Sequence, residues 1–242
     1  MVVVPALTIL LGVPIKTAAA ASLIGVIVTS LVAGSRYLEA GTVDRRLALV
    51  LLAATSSGAV LGGFVANAID ATILSALFGL VLLGVAIQVG WSRERPTSHV
   101  VASGGFASSY VEPSTGATVE YRAERVGIGL ALSVVAGGLS GLLGIGGGTV
   151  NVPTMSTIMG VPFRVAVTTS TYMLGATAAA SCAVYYARGQ LDPFIAAPVA
   201  LGIIAGAQVG SRVGPRVSTI VLRRVFAGLC ILLALQMLGK AL

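Results

Sequence analysis

Charge is what this sequence has least of. Asp, Glu, Lys and Arg make up 10% of its 242 residues, where soluble domains carry about 25%. A soluble fold would have to shelter several all-apolar helices from water, so this class is set aside. Aromatic residues are 5% of the chain and form no basic–aromatic stripe, so the net charge of +7 does not imply a nucleic-acid partner. There is one histidine, His99, in a polar middle stretch, and two cysteines, Cys182 and Cys230, inside apolar runs. That excludes a disulfide framework and a metal cluster, and no cofactor is expected. Cys182 reads as an inert small residue. No acidic or basic residue is placed with confidence inside a span, so no proton relay is named. No nucleophile–base or carboxylate pair is visible in the spans, which argues against an enzyme. The N-terminus lacks a basic leader region, and Pro5 and Pro14 interrupt its apolar stretch, so no cleavable signal peptide is expected.

What is present is hydrocarbon. Apolar residues are 56% of the chain, with a mean hydropathy of +0.99. Long apolar spans are expected at about 17–35, 46–67, 70–90, 125–143, 163–187, 192–212 and 219–238, near the roughly 20 residues that cross a bilayer. Two shorter pieces, about 2–11 and 150–160, are too short to cross and each runs into Gly-Val-Pro. Glycine lets a helix end and proline prevents its continuing, so these are broken segments. The stretch 91–124 is polar, and 110–119 predicts a small hairpin around a Pro/Gly turn.

The chain also repeats itself at an offset of 148 positions. Val4-Pro5 returns as Val152-Pro153, Gly12-Val13-Pro14 as Gly160-Val161-Pro162, Ser22 as Ser170, Asp44 as Asp192, and Gly58 and Gly62 as Gly206 and Gly210. The organisation is therefore a first membrane repeat over 1–90, a polar linker over 91–124 and a second membrane repeat over 125–242. Met1 aligns with Thr149, so the first repeat has no counterpart of the span at 125–143 or of the glycine run after it, and is expected to be N-terminally incomplete. Asp44 and Asp192 each precede a span and read as helix N-caps. Tyr185 and Tyr186, near the end of their span, are expected in an interfacial aromatic belt.

Lys and Arg decide how the repeats are related. If each broken segment is counted as a passage, twelve of the fifteen collect on one side, and only Lys16, Arg188 and Lys240 remain on the other. Parallel repeats divide them nine to six. The positive-inside rule favours the first arrangement. The expected fold is an all-α polytopic membrane bundle of two inverted repeats with broken half-helices, lying in a lipid bilayer. Its linker is cytoplasmic and its C-terminus outside.

The strongest local signal is Gly141-Leu142-Leu143-Gly144-Ile145-Gly146-Gly147-Gly148-Thr149-Val150-Asn151-Val152-Pro153. Backbone broken at membrane depth survives only where protein or a watery cavity satisfies it. The candidate site comprises Gly144, Gly146, Gly147, Gly148, Thr149, Asn151 and Pro153, joined by Thr169 and Ser170 from the next span. Pro5 and Ser22 are their first-repeat counterparts. Backbone N–H groups, an amide and hydroxyls suit a small anionic solute. The serine and threonine hydroxyls have back-bonding to their own helix as the alternative. Lys16 and Arg164 read as interfacial anchors. Gly202, Gly206 and Gly210, spaced by four, pack within one chain or between two; a homodimer is the second case.

At these residues the sequence resembles the TauE/SafE family of membrane permeases, also called sulfite exporters, over nearly its whole length. The resemblance is carried by Gly141 through Gly148, Val152-Pro153, Gly160-Val161-Pro162, Ala166, Thr169-Ser170, Gly202/Gly206/Gly210 and Leu222-Arg223-Arg224-Val225-Phe226, and in the first half by Val4-Pro5-Ala6-Leu7, Gly12-Val13-Pro14 and Ala18 through Ser22. The first half departs from it by lacking the first glycine motif. The resemblance implies a secondary transporter in a bacterial or archaeal inner membrane for small sulfur-containing anions such as sulfite or organosulfonates. Alternating access around a midplane site is the expected mechanism, with the coupling ion unassigned. The alternatives are a channel-like anion pore and a non-transporting membrane subunit.

Overall fold

A computed structural model of the chain describes residues 2–91, 106–111, 117–213, 228–237 and 239. The first repeat contains the half-helix α1 (Val3–Leu10) and the helices α2 (Ile15–Glu39), α3 (Arg45–Ala68) and α4 (Ala71–Trp91). The linker supplies strands β1 (Ala107–Val111) and β2 (Thr118–Arg122). They pair antiparallel with Tyr110 opposite Val119, as the hairpin pattern predicts. The second repeat contains α5 (Val126–Leu143), a glycine loop, the half-helix α6 (Gly148–Pro153), a π-helical turn (Thr154–Ile158), α7 (Phe163–Ala187) and α8 (Pro193–Val213). A further apolar helix, α9, spans Gly228–Met237. The fold is an all-α membrane bundle with one small hairpin. Among the described residues, α2, α3 and α5 are long and apolar enough to cross a bilayer. The expected span at 219–238 is described only over α9, because 214–227 lies outside the described residues.

The repeat is kept in the geometry. Helices α2 and α7 each have 25 residues and begin and end 148 positions apart. They also run antiparallel. The Ser30 hydroxyl meets the Gly175 amide at 2.8 Å and the Thr171 carbonyl at 2.7 Å, while further along α2 the Thr42 carbonyl accepts from Thr168 at 2.6 Å. As α2 advances, its partner positions on α7 go backwards. Two matching helices related in this way are inverted copies, as the charge bias indicates. About 37 Å of helix separates the ends of α2. The Gly12-Val13-Pro14 turn and the hairpin therefore lie at opposite ends of the bundle.

Small residues let the helices close on one another. A Cβ on Gly58 or Gly62 of α3 would collide with the carbonyl oxygens of Val134 and Gly138 on α5, and one on Gly137 or Gly141 would collide with those of Thr55 and Ala59. This is close packing through small residues, in which interfaces between helices in lipid are enriched. The N-caps are where the sequence puts them. Asp44 accepts from the Leu47 amide at 3.0 Å, and Asp192 accepts from the Phe194 amide at 2.9 Å ahead of α8. One expectation is corrected. Tyr186 is exposed, but Tyr185 is buried and donates to the Gly141 and Leu142 carbonyls at 2.9 and 3.2 Å. It caps the orphan carbonyls at the end of α5 rather than joining a belt.

Candidate functional site

Helix α5 stops at Gly144, which is left-handed (φ +67°) and donates its amide to the Ser140 carbonyl at 2.8 Å. Gly146 and Gly147 are also left-handed (φ +86° and +62°), a region L side chains rarely adopt. The backbone then re-enters a helix at Gly148. The Gly148 amide folds back onto the Gly146 carbonyl at 2.7 Å, and Val150 and Asn151 donate to the Gly147 carbonyl at 3.3 and 3.2 Å. Pro153 has no N–H for the carbonyl four residues earlier, and the chain widens at once into the π turn. The loop therefore offers fewer free amides than its sequence suggests, because its first turn uses several internally.

The loop lies at the middle of the bundle. It meets α2 at Ala19, Ser22 and Val26 and α7 at Ser170 and Leu174. A Cβ on Gly144 would lie 2.7 Å from the Ala19 carbonyl oxygen. The Ser22 hydroxyl donates to the Gly144 carbonyl at 3.1 Å, so the first repeat braces the loop of the second. Val4, at the start of α1, shares a core cluster with Leu143 and Ile145, so the first half-helix begins beside the end of α5 and the glycine loop. Pro5 is buried beside Val4.

Two hydroxyls flank the loop with no hydrogen-bond partner: Ser140 Oγ and Ser170 Oγ, both fully buried. A methyl group on Gly147 would sit 3.5 Å from Ser140 Cβ, and one on Gly148 would sit 3.4 Å from Ser170 Oγ. The two serine side chains thus adjoin consecutive glycines. A buried hydroxyl without a partner costs about 1–3 kcal/mol, a cost that a bound polar solute removes. Asn151 is buried a turn further on, its Oδ1 accepting from Ser133 at 3.2 Å. With the oxygen engaged, its NH₂ end is the part able to meet an anion.

The structure brings Gly144, Gly146, Gly147, Gly148, Asn151, Ser170 and Ser22 together, with Pro153 closing the half-helix. It does not bring Thr169. That hydroxyl points instead to the start of α3 and accepts from the Asp44 amide at 3.0 Å. Thr168 and Thr171 bond back to their own helix, at Arg164 (3.1 Å) and Val167 (2.8 Å). The side chain of Thr149 lies outside what the structure describes. Ser140 is the residue that sequence reasoning passes over, taking its neighbourhood as helix packing. Its signal is spacing: Ser133 and Ser140 are seven apart in an otherwise apolar helix, so both face α6. Lys16 donates to the Asn67 carbonyl at 3.1 Å, tying the start of α2 to the end of α3.

A family model described as sulfite exporter TauE/SafE matches residues 1–237. The chain is 24% identical over 230 residues to the probable membrane transporter protein YunE of Bacillus subtilis (strain 168), an alignment that takes in 94% of this chain and 82% of that protein. It is 28% and 29% identical, over 203 residues each, to the probable membrane transporter proteins MamO of Magnetospirillum gryphiswaldense and Paramagnetospirillum magneticum. Those alignments take in 75% of this chain and only 32% of each MamO protein. No solved structure matches. With its inverted bundle and broken half-helices, the chain is a multi-pass membrane protein of transporter type, and it belongs to the sulfite exporter TauE/SafE family.

Proposed function

We propose that this protein is a secondary transporter of small sulfur-containing oxyanions, sulfite or organosulfonates, working by alternating access around the Gly144–Gly148 loop. The observation that carries this reading is the pair of orphaned hydroxyls, Ser140 and Ser170, on either side of Gly147 and Gly148 at the middle of the bundle. Hydroxyls donate to an oxyanion without the cost of burying a permanent charge. Asn151 adds its NH₂ end, and glycines let the solute approach the backbone. Ser22, Thr169 and Pro5 hold the frame. The family's description supplies the word sulfite; the polar groups supply only an oxyanion of small size.

The protein sits in an inner, or plasma, membrane. The hairpin end faces the cytoplasm, because Arg36, Arg45, Arg46, Arg122, Arg125 and Arg164 gather there. The C-terminus is outside. Gly202 and Gly206 on α8 offer a face for a homodimer.

The test is flux of labelled sulfite and sulfoacetate into liposomes holding the purified protein. Saturable uptake is expected, with Gly147→Leu and Asn151→Ala each reducing it at least tenfold. Intact uptake in both variants removes the site. Flux that never saturates, with single-channel currents, replaces the carrier with a pore.

A further inference from the structure

The hairpin is built into the transport core at one end of the bundle. Tyr110 and Tyr121 are buried, and their rings meet edge to face at 6.4 Å. They share a core cluster with Leu47 and Leu51 of α3 and with Met155, Met159 and Val161 at the end of the second half-helix. The linker thus straddles both repeats. The Glu124 amide, just past β2, donates to the Met159 carbonyl at 2.9 Å, tying the strand exit to the end of the half-helix.

One carboxylate joins all three parts. Tyr121 Oη donates to Asp44 Oδ2 at 2.9 Å. Asp44 Oδ1 accepts from the Leu47 amide at 3.0 Å, and the Asp44 amide donates to Thr169 Oγ1 at 3.0 Å. Linker, first repeat and second repeat therefore meet at Asp44. Among the described residues it is the only buried charged side chain. At the opposite end the described residues show no such lock. Asp192 stands where Asp44 does and accepts from the Phe194 amide. Ala21 stands where Thr169 does. Beside the Gly12 turn there is a cleft of about 170 Å³ edged by Thr8, Gly12, Pro14, Ser75 and Met237.

We infer that the β1–β2 hairpin is the gate on its side of the protein, latched by the Tyr121–Asp44 hydrogen bond. The hairpin must leave Asp44 before the site opens to that side. This rests on the transporter reading above and adds its closure: the hairpin is latched in this structure, and the Gly12 cleft marks the end that would open in its place.

Thiol labelling in lipid nanodiscs, where both faces meet the reagent and no solute is needed, tests the gate. In a Cys182→Ala/Cys230→Ala background, Met155→Cys reports from beneath the hairpin. In a separate protein Ser75→Cys reports from the opposite cleft. A hydrogen bond to a charged acceptor is worth about tenfold or more in the closed–open equilibrium. Tyr121→Phe is expected to speed Met155→Cys labelling by a tenfold factor of that order and to slow Ser75→Cys labelling. Asp44→Asn keeps a good N-cap and is expected to act in the same direction, which guards against one variant that fails to fold. Unchanged labelling at Met155→Cys in both variants overturns the gate. So does faster labelling there with Ser75→Cys unmoved, since that is a hairpin fraying without switching the bundle. Absence of sulfite flux, by contrast, overturns the substrate reading and leaves the labelling result standing.

Discussion

The turn that follows each half-helix has the same sequence, Gly-Val-Pro, and opposite surroundings. A Cβ on Gly160 would meet the Arg122 carbonyl at 3.9 Å, under the hairpin, while one on Gly12 would meet nothing within 4 Å. The difference extends to the helices. α3 packs its Gly58 face onto α5, whereas a Cβ on Gly206, the matching position of α8, meets nothing within 4 Å among the described residues. Serines at matching positions diverge too. Ser22 is spent bracing Gly144, and Ser170 has no partner. One ground plan has been used twice with different contacts, and the two uses are separable by substitution.

The largest effect is expected at the glycine faces. Gly58→Leu drives a side chain into the α5 backbone and should cost about 3 kcal/mol or more, read as a collapse of the melting temperature. Gly206→Leu should stay within about 0.5 kcal/mol. Equal losses would mean the two faces are equally engaged. Next comes Thr169→Ala, which strips the buried Asp44 amide of its acceptor and should cost about 1–3 kcal/mol. Its repeat mate is already Ala21. Ser22→Ala should cost about 1 kcal/mol by removing a satisfied hydrogen bond, while Ser170→Ala should leave stability unchanged or raise it. A matching loss at Ser170 would show that its hydroxyl has a structural partner.

The smallest effect concerns pH. Burial, with the Asp44 charge adding to it, pushes the docked Tyr121 phenol well above the ordinary tyrosine range. An undocked tyrosine ionises near about 10. The docked form holds the proton more tightly, so docking is constant below that pH and weakens as pH rises through it. Met155→Cys labelling should therefore be flat from neutral pH to about 9 and accelerate above, after correction for thiolate formation in the unfolded protein. A rise already at neutral pH would place another group in charge of the latch.

Much of this was legible in the sequence where local chemistry decides. Proline and glycine marked both broken segments. Asp44 and Asp192 declared their caps, and the uneven division of Lys and Arg along the sequence pointed to the inversion that the antiparallel α2–α7 pair displays. What escaped depends on contacts far apart in the chain. Nothing near Tyr121 points to Asp44, 77 residues away. Nothing near Thr169 points to the α3 start, 125 residues away. Ser140 was hidden for a different reason: a serine amid glycines suits close packing, and only the coordinates show that its hydroxyl is left over.

The central claim is that those leftover hydroxyls exist for a solute. Calorimetric titration of sulfite into wild-type protein and into the Ser140→Ala/Ser170→Ala variant, each with its melting temperature, tests it most directly. The account predicts a variant at least as stable as wild type that binds sulfite at least tenfold more weakly. A variant that keeps full affinity, or one that loses stability as a paired serine does, contradicts it.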